Sequence, residues 1–267
     1  MTEMHPVDAP RLVVTDLDGT LLGRDGAVSE RNAAAVRRAA AAGAHVVIAT
    51  GRPPRWLEHI RPSVASSLAL CCNGGIVLDL ETDEVVASYP VDGSALYSAV
   101  TELRASGSVF GVVVEGLPEF GVAVEPGMPF RGSSEPRVMP FHEQCQQYVV
   151  KVLIRPEPGT GQPIVDHLTE NYGRQFTLTR STDDGLIEIS RSGITKGAVL
   201  EGLALRWGIP ASAAIAFGDM PNDIEMLRWA GHSVAMGNAD AAVKAIADET
   251  VEDHDDSAVG RVLERWF

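Results

Sequence analysis

The chain has 267 residues, 45% of them hydrophobic and 22% charged, which suits one large core or a core with a second, smaller domain and argues against disorder. Its formal net charge of −14 argues against nucleic acid and anionic membranes as partners, since both require a basic face, and leaves room for a small anion held by a local positive site. The first ten residues hold no signal-peptide-like apolar stretch and no apolar run approaches the ~18 residues that span a bilayer, so the expectation is a cytoplasmic protein.

Residues 12–16 (LVVTD) read as a strand. Residues 29–42 read as a helix with Ser29 as N-cap and Gly43 just past its end. A strand at 45–50, a helix at 53–61 begun by two prolines, and a strand at 68–72 complete a βαβαβ pattern. The strands are near-continuous apolar runs, as a parallel sheet buried on both faces requires.

The pattern changes near residue 84. Strands are expected at 85–89, 109–115, 120–124, 148–154, 175–180 and 186–190, with helices at 93–105 and 162–172. Several of these strands alternate apolar and polar residues, so one sheet face should be covered and the other more open. Residues 125–147, rich in Pro, Gly and charge, are expected to form a loop. The first pattern resumes with helix 196–207, strand 213–217, helix 221–230, strand 233–236 and helices 239–247 and 257–266. The predicted architecture is therefore α/β: a doubly wound parallel-sheet core over 1–83 and 190–267, split by an inserted α+β domain over 84–189.

The first strand runs into Asp16 and Asp18. In an extended chain these share one face about 7 Å apart, and at an effective dielectric near 20 two such charges repel by roughly 2 kcal/mol. Protonation of one, or a cation between them, removes that cost. Taken alone, Asp18-Gly19 is ordinary turn chemistry. A second strand, however, ends in GDMPND, with Asp219, Asn222 and Asp223 in quick succession. Asp219 alone could cap the following helix. Two strand ends delivering acids to one sheet edge, where open α/β folds bind ligands, point instead to Mg²⁺, which suits hard oxygen ligands. A third strand end reads IATGR, with Thr50 and Gly51. Lys196 falls in the first turn of a helix, where the dipole disfavours a cation unless an anion is bound there too.

The sequences DLDGTLL at 16–22, ATGR at 49–52, SGITKG around Lys196 and GDMPND at 218–223 together resemble the four ordered motifs of the haloacid dehalogenase (HAD) superfamily. The insertion between the second and third motifs, with CNGG at 72–75, resembles the Cof-type subfamily (type IIB) with a C2B cap and an HAD-like Rossmannoid core. The resemblance implies a Mg²⁺-dependent phosphatase that hydrolyses a small phosphorylated metabolite, such as a sugar or cofactor phosphate, through an aspartyl-phosphate. It implies Asp16 as nucleophile and Asp18 as general acid and base. Asp16, Asp219 and the backbone carbonyl of Asp18 would bind the metal, with Asn222 and Asp223 behind them. Thr50, Gly51 and Lys196 would hold the phosphoryl group, and Arg52, Asn73 and Gly74 would approach the substrate. Nothing in the resemblance implies a protein partner. Residues 252–259 depart from the family pattern, with Ser257 in a glycine's place.

Two other readings share these motifs. A phosphomutase of the phosphomannomutase type would pass the phosphoryl group to a second sugar hydroxyl rather than to water. A non-catalytic phospho-receiver or binding module also gathers acids, a Thr and a Lys on a doubly wound sheet, but leaves the ~105-residue insertion unexplained. The four tryptophans, Trp56, Trp207, Trp229 and Trp266, fall on predicted helices and are read as packing residues. Arg131, Arg137 and Arg155 in the insertion are candidates to meet a substrate anion. Cys71, Cys72 and Cys145 lack metal-ligand spacing and are read as reduced thiols.

Overall fold

A computed structural model describes residues 8–108, 110–117, 121–128, 130, 135–179 and 185–267. Of the sequence expectations, Arg131 and the terminal residues of three predicted strands, at 109, 120 and 180, lie outside the described residues.

The chain opens with β1 (Leu12–Thr15), α1 (Glu30–Ala41), β2 (His45–Ala49), β3 (Leu68–Cys71), β4 (Ile76–Asp79) and β5 (Val85–Ser88). Ser29 caps α1 by accepting the N–H of Asn32 at 3.2 Å, an interaction worth about 1 kcal/mol. Gly43 lies in the left-handed region with φ +92°, as a chain leaving a helix requires. Then follow α2 (Gly93–Ala105), β6 (Phe110–Leu117), β7 (Gly121–Val124), β8 (Arg137–Val138), α3 (Phe141–Gln144), β9 (Tyr148–Pro156), α4 (Gly161–Tyr172), β10 (Phe176–Thr179) and β11 (Ile187–Arg191). The last stretch holds α5 (Lys196–Trp207), β12 (Ala214–Gly218), α6 (Ile224–Trp229), β13 (His232–Ala235), α7 (Ala241–Lys244), β14 (Glu249–Thr250) and α8 (Ala258–Leu263).

These strands form two sheets. The first has the order β14-β13-β12-β1-β2-β3-β4-β5, parallel from β14 to β3 and antiparallel beyond. Its direction of winding reverses between β1 and β12, which puts the loops after these two strands at the switch point where such sheets bind ligands. The central strands are wholly buried, as their unbroken apolar sequences require. The second sheet has the order β10-β11-β9-β6-β7-β8 and is antiparallel apart from the β7–β8 pair. Alternate residues of β6 and β9, including Val112, Val114, Val152 and Ile154, join Leu96, Val100, Ile164 and Leu168 of α2 and α4 in a core of their own. The opposite face of this sheet carries Val113, Glu115, Lys151 and Leu153.

Three sequence expectations are corrected and one strand is added. Residues 85–88, expected to begin the insertion, pair with β4 at the edge of the first sheet. The unexpected β4 itself returns antiparallel to β3 through the Gly74-Gly75 turn, so the apolar runs either side of CNGG make a hairpin. The helix expected at 53–61 is instead two short 3₁₀ turns, Pro54–Trp56 and Arg61–Ser63; Pro62 has no N–H to bond a helical carbonyl at residue 58, and its ring would clash with it. The stretch 125–147 contains β8 and α3 rather than loop alone.

Candidate active site

Asp16 follows β1 directly, and the chain then makes one wide turn, Leu17–Leu21, in which Gly19 takes φ +75°. Asp16 is still extended, but the turn begins at Leu17, between the two acids, so they do not share the face that an unbroken strand would give them. Asp16 is 5% exposed, whereas the Asp18 side chain is 60% exposed. Each has its own cation. Asp16 Oδ1 accepts from Lys196 Nζ at 2.7 Å. Asp18 accepts from Arg52 through Nε at 2.7 Å and Nη2 at 2.5 Å, a bidentate grip that ties the first strand-end loop to the second.

Lys196 sits in the first turn of α5, immediately after the chain returns from the second sheet, and is 1% exposed. Its ammonium also donates to Asp223 Oδ1 at 2.7 Å. Asp223 is fully committed: its Oδ2 accepts the N–H groups of Asp219 and Met220, both at 3.1 Å. It therefore holds the GDMPND loop in shape and orients Lys196. Asp219 is not a helix cap; its Oδ1 accepts the buried Thr20 hydroxyl at 3.0 Å. Asn238 donates to Gly19 O at 2.8 Å and approaches Asp219 Oδ2 at 3.5 Å. Neither Thr20 nor Asn238 is singled out by sequence reasoning. Thr20 lies within the DLDGTLL motif, whereas no local signal marks Asn238.

Carboxylate oxygens of Asp16, Asp219 and Asp223 lie within 4.8 Å of one another. Three buried carboxylates against one lysine leave a formal excess of two negative charges, which is costly in a dry interior. Burial raises the pKa of Asp16 well above the usual carboxylate range, and the charges of Asp223 and Asp219 add to this against the opposing pull of Lys196. Burial and the charge of Asp223 likewise push Asp219 up to about 7. Burial would lower Lys196, but Asp16 and Asp223 outweigh it and hold its pKa above the usual lysine value. Lys196 thus stays charged, and the cluster takes up protons unless a cation neutralises it.

The donor set fits a hard divalent cation. All its atoms are oxygens, and Asn222 Oδ1 is buried without a hydrogen-bond partner, a ready acceptor for a metal-bound water. Close approach of the two loops is built in at Gly19, where a Cβ would lie 2.2 Å from Asp219 Oδ2.

The remaining predicted site residues surround this cluster. Thr50 is buried, and its hydroxyl accepts the Arg52 N–H at 3.1 Å. Asn73 takes φ +57° and donates to Glu188 Oε2 at 2.6 Å and Thr179 at 3.1 Å, while its Oδ1 accepts from Asn222 at 3.1 Å. Gly74, with φ +96°, packs against the Thr195 carbonyl, which a Cβ would approach to 2.8 Å. Its place is thus in the turn against α5.

A cleft of about 720 Å³ lies between the strand ends of the first sheet and the open face of the second. Asp16, Asp18, Gly51, Arg52 and Asn222 line one side. Glu115, Lys151, Leu153, Arg155 and Glu188 line the other. Trp56, read from the sequence as a packing residue, is 36% exposed and lines this cleft. Three buried charges of the second wall join it to the first: Glu115 forms a bidentate pair with Arg55 at 2.6 and 2.7 Å, Glu188 accepts from Asn73 at 2.6 Å, and Lys151, itself paired with Glu188 at 2.6 Å, donates to Gly51 O at 3.1 Å. These contacts span residues far apart in sequence. Their only trace there is charge interrupting otherwise apolar strands.

Residues 13–263 match the haloacid dehalogenase-like hydrolase family. The chain is 30% identical to the 5-amino-6-(5-phospho-D-ribitylamino)uracil phosphatase YitU of Bacillus subtilis (strain 168), over 97% of this chain and 98% of that one. It is 27% identical to the pyridoxal phosphate phosphatase YbhA of Escherichia coli (strain K12), over 95% and 97% respectively. A solved haloacid dehalogenase-like hydrolase from Bacteroides thetaiotaomicron superposes with a TM-score of 0.78 at 25% identity, over 97% of this chain and 100% of that one.

Proposed function

The chain belongs to the haloacid dehalogenase-like hydrolase family and, as a Cof-type member, is a phosphoric monoester hydrolase; we propose that it cleaves a small phosphorylated metabolite by phosphoryl transfer through Asp16, in a Mg²⁺-dependent reaction. The observation that carries this reading is the buried group of Asp16, Asp219 and Asp223 around Lys196 at the wall of the cleft.

Lys196 holds one oxygen of Asp16, and Oδ2 accepts no hydrogen bond from a described residue, which leaves it to attack phosphorus. The P–O bond to the leaving oxygen breaks as the bond to Asp16 forms, and Asp18 supplies the proton that the leaving oxygen takes up. In the second half, Asp18 accepts a proton from water, the water oxygen bonds to phosphorus, and the bond to Asp16 breaks. Asp16 and Asp219, with the Asp18 carbonyl, would hold the Mg²⁺, while Asn222 and Asp223 stand behind them. Bound there, the ion supplies charge neutralisation that lets a phosphate dianion approach a carboxylate. Thr50, Gly51 and Lys196 would hold the phosphoryl oxygens. Arg52 would exchange Asp18 for substrate, which frees Asp18 to reach the leaving group. The second sheet would cover the site and exclude water.

Phosphate release from a panel of phosphorylated metabolites, with Mg²⁺ and with a chelator, tests the proposal. Turnover that needs Mg²⁺ and disappears in Asp16→Asn supports it. Turnover that survives Asp16→Asn, or conversion of a hexose 1-phosphate to its 6-phosphate without free phosphate, refutes it.

A further inference from the structure

The two walls of the cleft differ in what they leave for a substrate. On the wall of the second sheet, the buried charged groups are already engaged. Both oxygens of Glu115 are taken by Arg55. Glu188 accepts from Lys151 through one oxygen and from Asn73 and Thr179 through the other. Lys151 also donates to Gly51 O. Apart from the exposed Arg155, the surface between these pairs is largely apolar: Val113, Leu153, Leu186 and Met128 from the second sheet and its connections, facing Pro53 and Trp56. The Arg55 guanidinium lies 5.6 Å from the ring centre of Trp56 and is itself held by Glu115, which steadies the indole.

We propose that the leaving group this cleft accepts is a flat, largely apolar ring bearing its phosphate on a short arm, an aromatic or heteroaromatic phosphate ester, in preference to a polyhydroxylated sugar phosphate. The inference rests on the phosphatase reading and narrows its substrate class. A ring laid between Trp56 and the aliphatic wall removes apolar surface from water on both faces and gains stacking on the indole. A hexose in the same place would bury several hydroxyls against groups whose hydrogen bonds are committed elsewhere. Each hydroxyl left without a partner lowers kcat/KM by roughly tenfold.

The test compares esters with the same kind of leaving oxygen, so that intrinsic reactivity does not decide the result. Benzyl phosphate and pyridylmethyl phosphate are set against glucose 6-phosphate and glycerol 3-phosphate, all esters of primary alcohols, with acetyl phosphate as a substrate without a ring or hydroxyls. The expected result is a kcat/KM for the ring esters at least about tenfold above that for the polyol esters. Trp56→Ala is expected to cut that ratio by about tenfold. Trp56 is partly exposed, so the variant should fold. Polyol esters turned over as well as ring esters would overturn the inference and leave the phosphatase reading standing. A ratio unchanged in Trp56→Ala would overturn the assignment to this wall. Release of phosphate from none of the compounds, acetyl phosphate included, would take down both readings.

Discussion

Lys196 reaches Asp16 across 180 residues of sequence and places its ammonium 2.7 Å from the carboxylate oxygen, with Asp223 at the same distance on its other side. Among the described residues, Lys196 is the one lysine or arginine that pairs with this group of three buried acids. Lys196→Met should therefore destabilise the metal-free protein by about 3–5 kcal/mol at pH 8, the usual effect of leaving buried charge unpaired. Asp16→Asn has the opposite sign. It removes one negative charge from an overcharged group, so the variant should be inactive yet at least as resistant to urea as the wild type without Mg²⁺. Paired urea titrations and phosphate-release assays on the two variants check this, and strong destabilisation by Asp16→Asn would contradict it.

The charge excess also sets a pH dependence. Asp219 has an ordinary pKa of 3.8 and is pushed up to about 7 by burial and the charge of Asp223. Between these values the folded state binds the proton more tightly than the unfolded chain does. Stability contributed by this group is thus fully present below about 4 and is lost as pH rises towards 7. Acids with lowered pKa values, such as Asp92 and Asp248, act in the opposite direction at lower pH, so the contribution is isolated as the difference between wild type and Asp219→Asn. In chelator, that difference should grow in favour of the variant between pH 5 and pH 8. Saturating Mg²⁺ should reverse it, and Mg²⁺ uptake at pH 6 should release protons measurable by calorimetry in buffers of different ionisation enthalpy. A pH-independent difference would show that Asp219 is not the titrating group.

Gly19 links the two metal-proposed loops through backbone shape. Its φ of +75° is strained for any other residue, and an added Cβ would fall 2.2 Å from Asp219 Oδ2. Gly19→Ala should cost about 1–3 kcal/mol from the backbone alone. It should also displace Asp219, so half-saturation by Mg²⁺ should move to higher concentration more than the KM for the phosphate ester does. Equal shifts in both would mean that the turn, and not the Asp219 carboxylate, had been disturbed.

The parts of the site that are local in sequence were legible there. Asp16, Thr50, Lys196 and Asp219 each lie at or beside the end of a regular element, and the pattern of that element is enough to place them on one sheet edge. Ser257 is a subtler case: it stands in a glycine's place and adopts a glycine's conformation, φ +56°, with its hydroxyl 2.8 Å from that of Ser29. The separate settings of Asp16 and Asp18 were not legible, because they depend on a turn that starts at Leu17, between the two acids. Nor was the role of Arg52, whose partner Asp18 lies 34 residues earlier. The short strand β4 hides in a run of four residues. Pro53 and Pro54 look like a helix start, but Pro62 is incompatible with a helical turn before it, and the segment is two 3₁₀ turns. Hardest of all were the charges on the second sheet, since a lysine or glutamate inside a strand carries no mark of which distant loop it meets.

Those charges support the last prediction. Lys151 and Glu188 are 5% and 2% exposed, pair at 2.6 Å, and reach Gly51 O and Asn73 of the opposite wall. A buried pair of this kind adds little over an apolar pair of the same shape, but losing one member strands the other. Lys151→Met and Glu188→Gln should each destabilise the protein, Lys151→Met by about 3–5 kcal/mol because it leaves a buried carboxylate. The double variant should recover part of that loss, giving a coupling of about 1–3 kcal/mol in a double-mutant cycle. Because the pair also bridges the two walls, both single variants should expose the connections near Tyr89 and Ser192 to limited proteolysis faster than the wild type. Additive effects together with unchanged cleavage would mean that Lys151 and Glu188 satisfy each other without holding the sheets together.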